Sequence, residues 1–239
     1  MPIKTVLFDL DGTLLPLDQE QFVGSYFGLL AKKAAPLGYE PQDLIRSIWS
    51  GTKAMIANDG AQTNETVFWQ TFAARYGEEA LAHKPVFDAF YANEFQQVKA
   101  VCGFRRESAE VIALLKSFGC RVALATNPIF PAVATQSRIR WAGLVPEDFE
   151  LVTTYENSCR CKPNPDYYRD VLCAIGADAA DCLMVGNDVK EDMVAETLGM
   201  QVFLLTDCLI NQENADISRY PHGSFPELLA FLQRVCRPE

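Results

Sequence analysis

From Gly103 to the end of the chain, short apolar runs alternate with helix-length segments, and no other feature constrains the fold as much. The runs are Arg121–Thr126, Phe149–Thr153, Cys182–Val185 and Val202–Leu205, each rich in the residues that suit a buried strand. Between and after them the pattern predicts helices over 107–118, 130–141, 165–175, 189–198 and 225–235. Gly119, Gly176 and Gly199 stand where helices of this length stop. Strands that alternate with helices return by right-handed crossovers and form a parallel sheet covered on both faces. Residues 4–8 make one more β-branched, apolar run, which ends at Asp9 and joins the same sheet.

Between that first strand and the alternating part lies a long stretch with no strand pattern. Helices are expected over 19–35, 42–57, 64–76 and 79–98, punctuated by Pro36, Gly38, Pro41, Gly60 and Gly77. Asn64 is the expected N-cap of the third, and Asp43 falls in the first turn of the second. The expected fold is therefore α/β: a doubly wound, parallel-sheet, Rossmann-like core over 1–16 and 101–239, with an all-helical cap domain inserted at 17–100. The insertion holds 13 of the 26 aromatic residues. A small helical domain needs such side chains for its own core, and an aromatic substrate pocket is the competing use.

Composition removes several classes of function. With 31 acidic against 21 basic residues the chain lacks the basic footprint that nucleic acids or anionic lipids require. Two histidines leave little for a His-based relay or a multi-His zinc site. No apolar stretch reaches the length of a membrane span, and the start of the chain does not read as a signal peptide, so a cytoplasmic location is expected. Of eight cysteines, Cys120, Cys173 and Cys182 read as small core residues, and Cys159 and Cys161 as reduced thiols in a loop.

Ligands of such sheets bind beyond the carboxyl ends of the strands. Asp9 and Asp11 follow the first strand, Thr126 and Asn127 the second, and Lys162 lies in a later loop. The segment Gly186-Asn-Asp188 ends another strand, with Glu191 and Asp192 just beyond. Taken singly, Asp9 suits a turn, Thr126 a strand and Lys162 a solvated loop. Together they place carboxylates, a hydroxyl and an ammonium on one rim. Clustered carboxylates need a cation, and an all-oxygen set favours magnesium over zinc. Such a rim suits a phosphoryl group. One carboxylate can attack phosphorus and a second, two residues on, can move protons.

D-L-D-G-T at 9–13, Thr126-Asn127, Lys162-Pro163 and G-N-D-V-K-E-D at 186–192, in this order, resemble the four motifs of the haloacid dehalogenase (HAD) superfamily, in its phosphoglycolate-phosphatase-like branch with a helical cap. The resemblance implies a magnesium-dependent phosphatase acting on a small phosphorylated metabolite through an aspartyl-phosphate intermediate. It makes Asp9 the nucleophile and a metal ligand. Asp11 becomes the general acid and base, its backbone carbonyl also on the metal. Thr126, Asn127 and Lys162 bind the phosphoryl group, and Asp188 and Asp192 complete the metal site. Asn187 departs from the usual pattern, in which Asp directly follows Gly. Glu191 could stand in for Asp192 at the metal, but a solvated helix residue is its expected role.

Alternatives are a phosphomutase on the same scaffold, a phospho-receiver domain and a silent interaction protein. Dehalogenation fits less well, since that branch lacks the second Asp of the first motif. Lys53 in the cap is a candidate contact for a substrate anion, with a solvated face as its plainer role. The two crossings between cap and core, near 14–18 and 99–104, are the expected hinges of a moving cap.

Overall fold

The computed structural model describes residues 3–236 of the 239-residue chain. Five parallel strands form one sheet: β1 (Thr5–Phe8), β2 (Arg121–Leu124), β3 (Cys182–Gly186), β4 (Gln201–Leu205) and β5 (His222–Gly223), in the order β2-β1-β3-β4-β5. Phe8 of β1 is in register with Leu124 on one side and Val185 on the other, so β2, β1 and β3 end together. The chain crosses from β1 to β2 on one side and returns to β3 on the other. Their carboxyl ends therefore form the crevice at which such sheets bind ligands.

Alternate residues of each strand serve opposite cores, as the two-residue repeat requires. Val6, Phe8, Leu183, Val185 and Phe203 pack with helices α5 (Glu107–Ser117) and α8 (Phe225–Val235). Leu7, Met184, Val202 and Leu204 pack with α7 (Pro165–Ile175) and with the 3-10 turn at Met193–Leu198. The sheet is covered on both faces, as expected. Helix α6 (Ala132–Trp141) lies between β2 and α7 in the chain. No helix among the described residues is long and apolar enough to cross a membrane.

Everything between β1 and α5 is helical: α1 (Gln19–Ala34), α2 (Pro41–Ile56), α3 (Asn64–Tyr76) and α4 (Lys84–Ala92), with 3-10 turns at 35–37, 78–83 and 94–101. Its two ends lie side by side. The Gly103 N–H donates to the Pro16 carbonyl at 2.7 Å, and Leu17 bridges Cys102. The apolar interior of the insertion is continuous with that of the sheet. Phe130, from the loop after β2, stands 5.5 Å from Tyr26 and 6.2 Å from Phe22, ring centre to ring centre.

Several local expectations are corrected. The single helix at 79–98 is three pieces, because Asn93 leaves helical geometry and Pro85 starts α4 afresh. Thr63, not Asn64, caps α3 through its hydroxyl; Asn64 is buried inside the first turn. Residues 149–153 are not a regular strand. They flank the edge of β2 through one bridge, Leu124 to Val152, and a few backbone bonds. Residues 189–198 form turns and a short 3-10 segment rather than an α-helix. Cys120 and Cys182 are buried, but Cys173 lies on the exposed side of α7, opposite Tyr168 and Leu172.

Candidate active site

The Asp9 N–H donates to the Val185 carbonyl, and the Ala125 N–H to the Phe8 carbonyl, so Asp9, Thr126 and Asn187 emerge on one edge. A tight turn follows Asp9. Gly12 adopts φ +84°, and a Cβ there would collide with the Asn187 side chain. Asn187 is buried. It accepts from the Thr13 hydroxyl at 2.8 Å and donates to the Cys208 carbonyl at 2.7 Å. This explains the residue that interrupts the fourth motif: Asn187 ties the β1 loop to the loop after β4.

Lys162 lies just before α7, whose N-cap is Asn164. Its side chain is 0% exposed, and its Nζ donates to Asp9 Oδ1 at 2.9 Å and to Asp192 Oδ1 at 2.6 Å. Asp192 fits because Gly186 has no Cβ; one there would overlap its carboxylate. The other Asp192 oxygen accepts from the Asp188 N–H at 2.9 Å. Asp188 Oδ1 in turn accepts from the N–H groups of Lys190 and Glu191. Thr126 is buried, and its carbonyl accepts from the hydroxyls of Thr153 and Tyr167.

Asp9, Asp11, Thr126, Asn127, Asp188 and Asp192 all line one cavity of about 270 Å³ between the sheet edge and the helical insertion. Lys162 stays behind Asp9 and outside the lining, and Lys53 is exposed away from it. Two side chains beside these acids depart from the expectations. Arg138, 1% exposed on α6, forms an ion pair with Asp11 Oδ2 and stacks its guanidinium over Phe130. Glu191 is not solvated: it lines the cavity and accepts from the Asn127 amide at 3.0 Å. Arg138 carried no sequence signal, because it lies in an ordinary helical segment. The two adjacent acids at 191–192 were the available hint for Glu191.

The electrostatics follow from burial. Burial raises the Asp9 carboxyl above the usual carboxylate range, with Lys162 pulling the other way. Asp11 is raised for the same reason, opposed by Arg138. Glu191 is pushed up to about 8 by burial, again opposed by Lys162. Burial disfavours the Lys162 ammonium, but Asp192 and Asp9 outweigh it and keep the group charged. Among the described residues five buried side-chain polar atoms have no partner, and three of them, Asp11 Oδ1, Asn127 Oδ1 and Trp69 Nε1, belong to cavity residues. Unsatisfied groups gathered at one cavity mark it as built for a ligand.

No cluster of three or more His, Cys, Asp or Glu side chains among the described residues forms a ready-made metal cage. What the cavity offers is Asp9 Oδ2, with only the Thr13 hydroxyl at 3.5 Å, and Asp188 Oδ2, which has no hydrogen bond among the described residues. Two carboxylate oxygens with room for water and phosphate suit magnesium, which keeps several waters and rarely uses an all-protein cage.

The chain is 24% identical over 238 residues to a phosphoglycolate phosphatase of Neisseria meningitidis, covering 97% of this chain and 94% of that one. Its fold superimposes on a 2-haloacid dehalogenase from Pseudomonas syringae with a TM-score of 0.62 at 20% identity, covering 97% and 99% of the two chains. It also superimposes on YfnB from Bacillus subtilis, solved bound to magnesium, with a TM-score of 0.57 at 18% identity, covering 98% and 100%. These structural likenesses concern the fold, which hydrolases of different chemistry share. The family model of haloacid dehalogenase-like hydrolases matches residues 3–195, most of the chain, and the protein belongs to that family.

Proposed function

We propose that the protein is a magnesium-dependent phosphatase that hydrolyses a small phosphorylated metabolite through an aspartyl-phosphate on Asp9. The observation that carries this reading is the position of Asp9. It opens on the cavity from the end of β1, an inner strand, with one oxygen fixed by the buried Lys162 ammonium and the other free of strong protein contacts. The phosphatase named among the relatives supports the same chemistry.

In this reading Asp9 attacks phosphorus, and the bond from phosphorus to the leaving oxygen breaks as Asp11 gives that oxygen a proton. Asp11 then takes a proton from water, whose oxygen attacks phosphorus and frees Asp9 and inorganic phosphate. Arg138 fixes Asp11 by one oxygen. Thr126 and Asn127 offer hydrogen-bond donors to the phosphoryl group, and Lys162 offsets its charge. Magnesium would be held by Asp9, the Asp11 backbone carbonyl and Asp188. Asp192, expected from the resemblance as a further ligand, has both carboxylate oxygens engaged, by the Lys162 ammonium and the Asp188 N–H, and would instead support the site by holding these two. The ion would neutralise charge on the transferred phosphoryl oxygens. The acidic composition and the eight free thiols favour a cytoplasmic protein with no nucleic-acid or membrane partner.

The test is Asp9→Asn, assayed on a panel of phosphomonoesters with magnesium. Turnover is expected to vanish while circular dichroism stays unchanged, because an amide is nearly isosteric but a very poor nucleophile. Near-normal activity in the purified variant would overturn the assignment.

A further inference from the structure

The cavity has two unlike ends, and the contrast bears on the leaving group. Its floor is the carboxylate rim. Its walls, supplied largely by the helical insertion, are mainly aromatic, with Phe22, Phe27, Trp49, Phe68, Trp69 and Phe87. Apart from Asp88 the polar groups among them are neutral; the hydroxyls of Tyr26 and Tyr91 bond to each other, while that of Thr52 donates to the Ile48 carbonyl. Every charged side chain that lines it is acidic. Five belong to the rim, and the sixth, Asp88 on α4, lies among the wall residues. No Lys, Arg or His among the described residues lines it. The cations near these acids are already engaged: Lys162 by Asp9 and Asp192, Arg138 by Asp11, and Lys84, one turn before Asp88, by Glu65.

We infer that the substrate is a phosphomonoester whose leaving group is apolar and ring-sized and carries no second anionic group. This rests on the phosphatase reading above and adds the class of leaving group to it. A carboxylate or second phosphate moved from water to these walls would lose its hydration and meet no cation, and Asp88 would repel it. The unpartnered indole N–H of Trp69 can donate one hydrogen bond, but a neutral donor leaves the charge uncompensated. A ring meets the reverse situation. It exchanges water for aromatic faces and edges that accept offset or edge-on contacts.

A matched pair of esters isolates the charge: benzyl phosphate and 4-carboxybenzyl phosphate, assayed with magnesium. The expected kcat/KM is roughly tenfold or more higher for benzyl phosphate, the scale of leaving one charged group unpaired. Ile56, exposed at the end of α2, lines the cavity and sits at a helix C-terminus, where a cation is favoured. Ile56→Lys is therefore expected to narrow or reverse the preference. If the wild type turns over the carboxylated ester as well as the plain one, the inference is overturned and the phosphatase reading stands. If neither ester shows Asp9-dependent turnover, the phosphatase reading falls for this substrate class. Calorimetric titration with the two corresponding phosphonates then decides the charge discrimination by itself. Tighter binding of benzylphosphonate is expected, and equal or weaker binding overturns the inference.

Discussion

Lys162 and Asp192 meet at 2.6 Å with side chains 0% and 1% exposed, and the same ammonium holds Asp9. A buried pair of this kind is costly to break from one side, because the survivor keeps its charge without compensation. Lys162→Met would strand two carboxylates at once. Its unfolding free energy is expected to fall by about 3–5 kcal/mol in urea titrations, with turnover lost. A variant of wild-type stability would show that the pair contributes nothing to the fold.

Arg138 acts on Asp11 in the same way but in a wetter setting. The Asp11 side chain keeps 28% exposure, so solvent absorbs part of the penalty. Arg138→Met is expected to cost about 1–3 kcal/mol of stability. It should also lower kcat by about 100-fold with a smaller change in KM, since the proton-transfer group loses its orientation. Steady-state kinetics at saturating magnesium, beside thermal denaturation, separate the two effects. Unaltered kcat would mean that Asp11 needs no positioning.

The proposed metal dependence rests on two carboxylate oxygens, Asp9 Oδ2 and Asp188 Oδ2, that carry no strong protein contact. Excess chelator is expected to abolish turnover and added magnesium to restore it. Calcium should inhibit, because it takes more oxygens at longer distances and does not hold the octahedral geometry of magnesium. Asp188→Ala should raise the magnesium concentration needed for half-maximal rate. Full activity in chelator would remove the ion from the reaction.

Beyond its two linkers, paired through Pro16 and Gly103, the helical insertion is held to the sheet part by further hydrogen bonds. The buried Asn64 amide donates to the carbonyls of Pro128 and Arg160, and the Glu65 N–H donates to the Tyr155 carbonyl at 2.8 Å. Opening would separate α3 from residues 155–161 and pull Phe130 from its aromatic neighbours. A short crosslink between α3 and that segment is expected to suppress turnover of a metabolite-sized ester by slowing substrate entry or product release. Unchanged kinetics in a verified crosslinked protein would rule out a required opening cycle.

Local chemistry was legible where one short segment decides the outcome. The apolar run before Asp9, the glycine stops and the alternation after Gly103 are properties of neighbours in the chain. They foretold β1 to β4, α5, α7 and α8 to within a few residues. Asp9, Asp11, Thr126, Asn127, Asp188 and Asp192, read from the sequence as strand-end residues, line one cavity, whereas Lys162 is buried behind Asp9 instead of standing on the rim. Segments 79–98, 149–153 and 189–198 went otherwise, because packing and edge pairing override a local preference. The tertiary structure alone decided the partners of the charges. That Arg138 meets Asp11, that Glu191 faces inward on Asn127, and that Asn187 braces the β1 loop all depend on contacts across 64 to 174 residues. That no Lys, Arg or His among the described residues lines the cavity has the same origin. Hydrophobic periodicity is written along the chain, whereas the environment of a charge is set by whatever folding brings beside it.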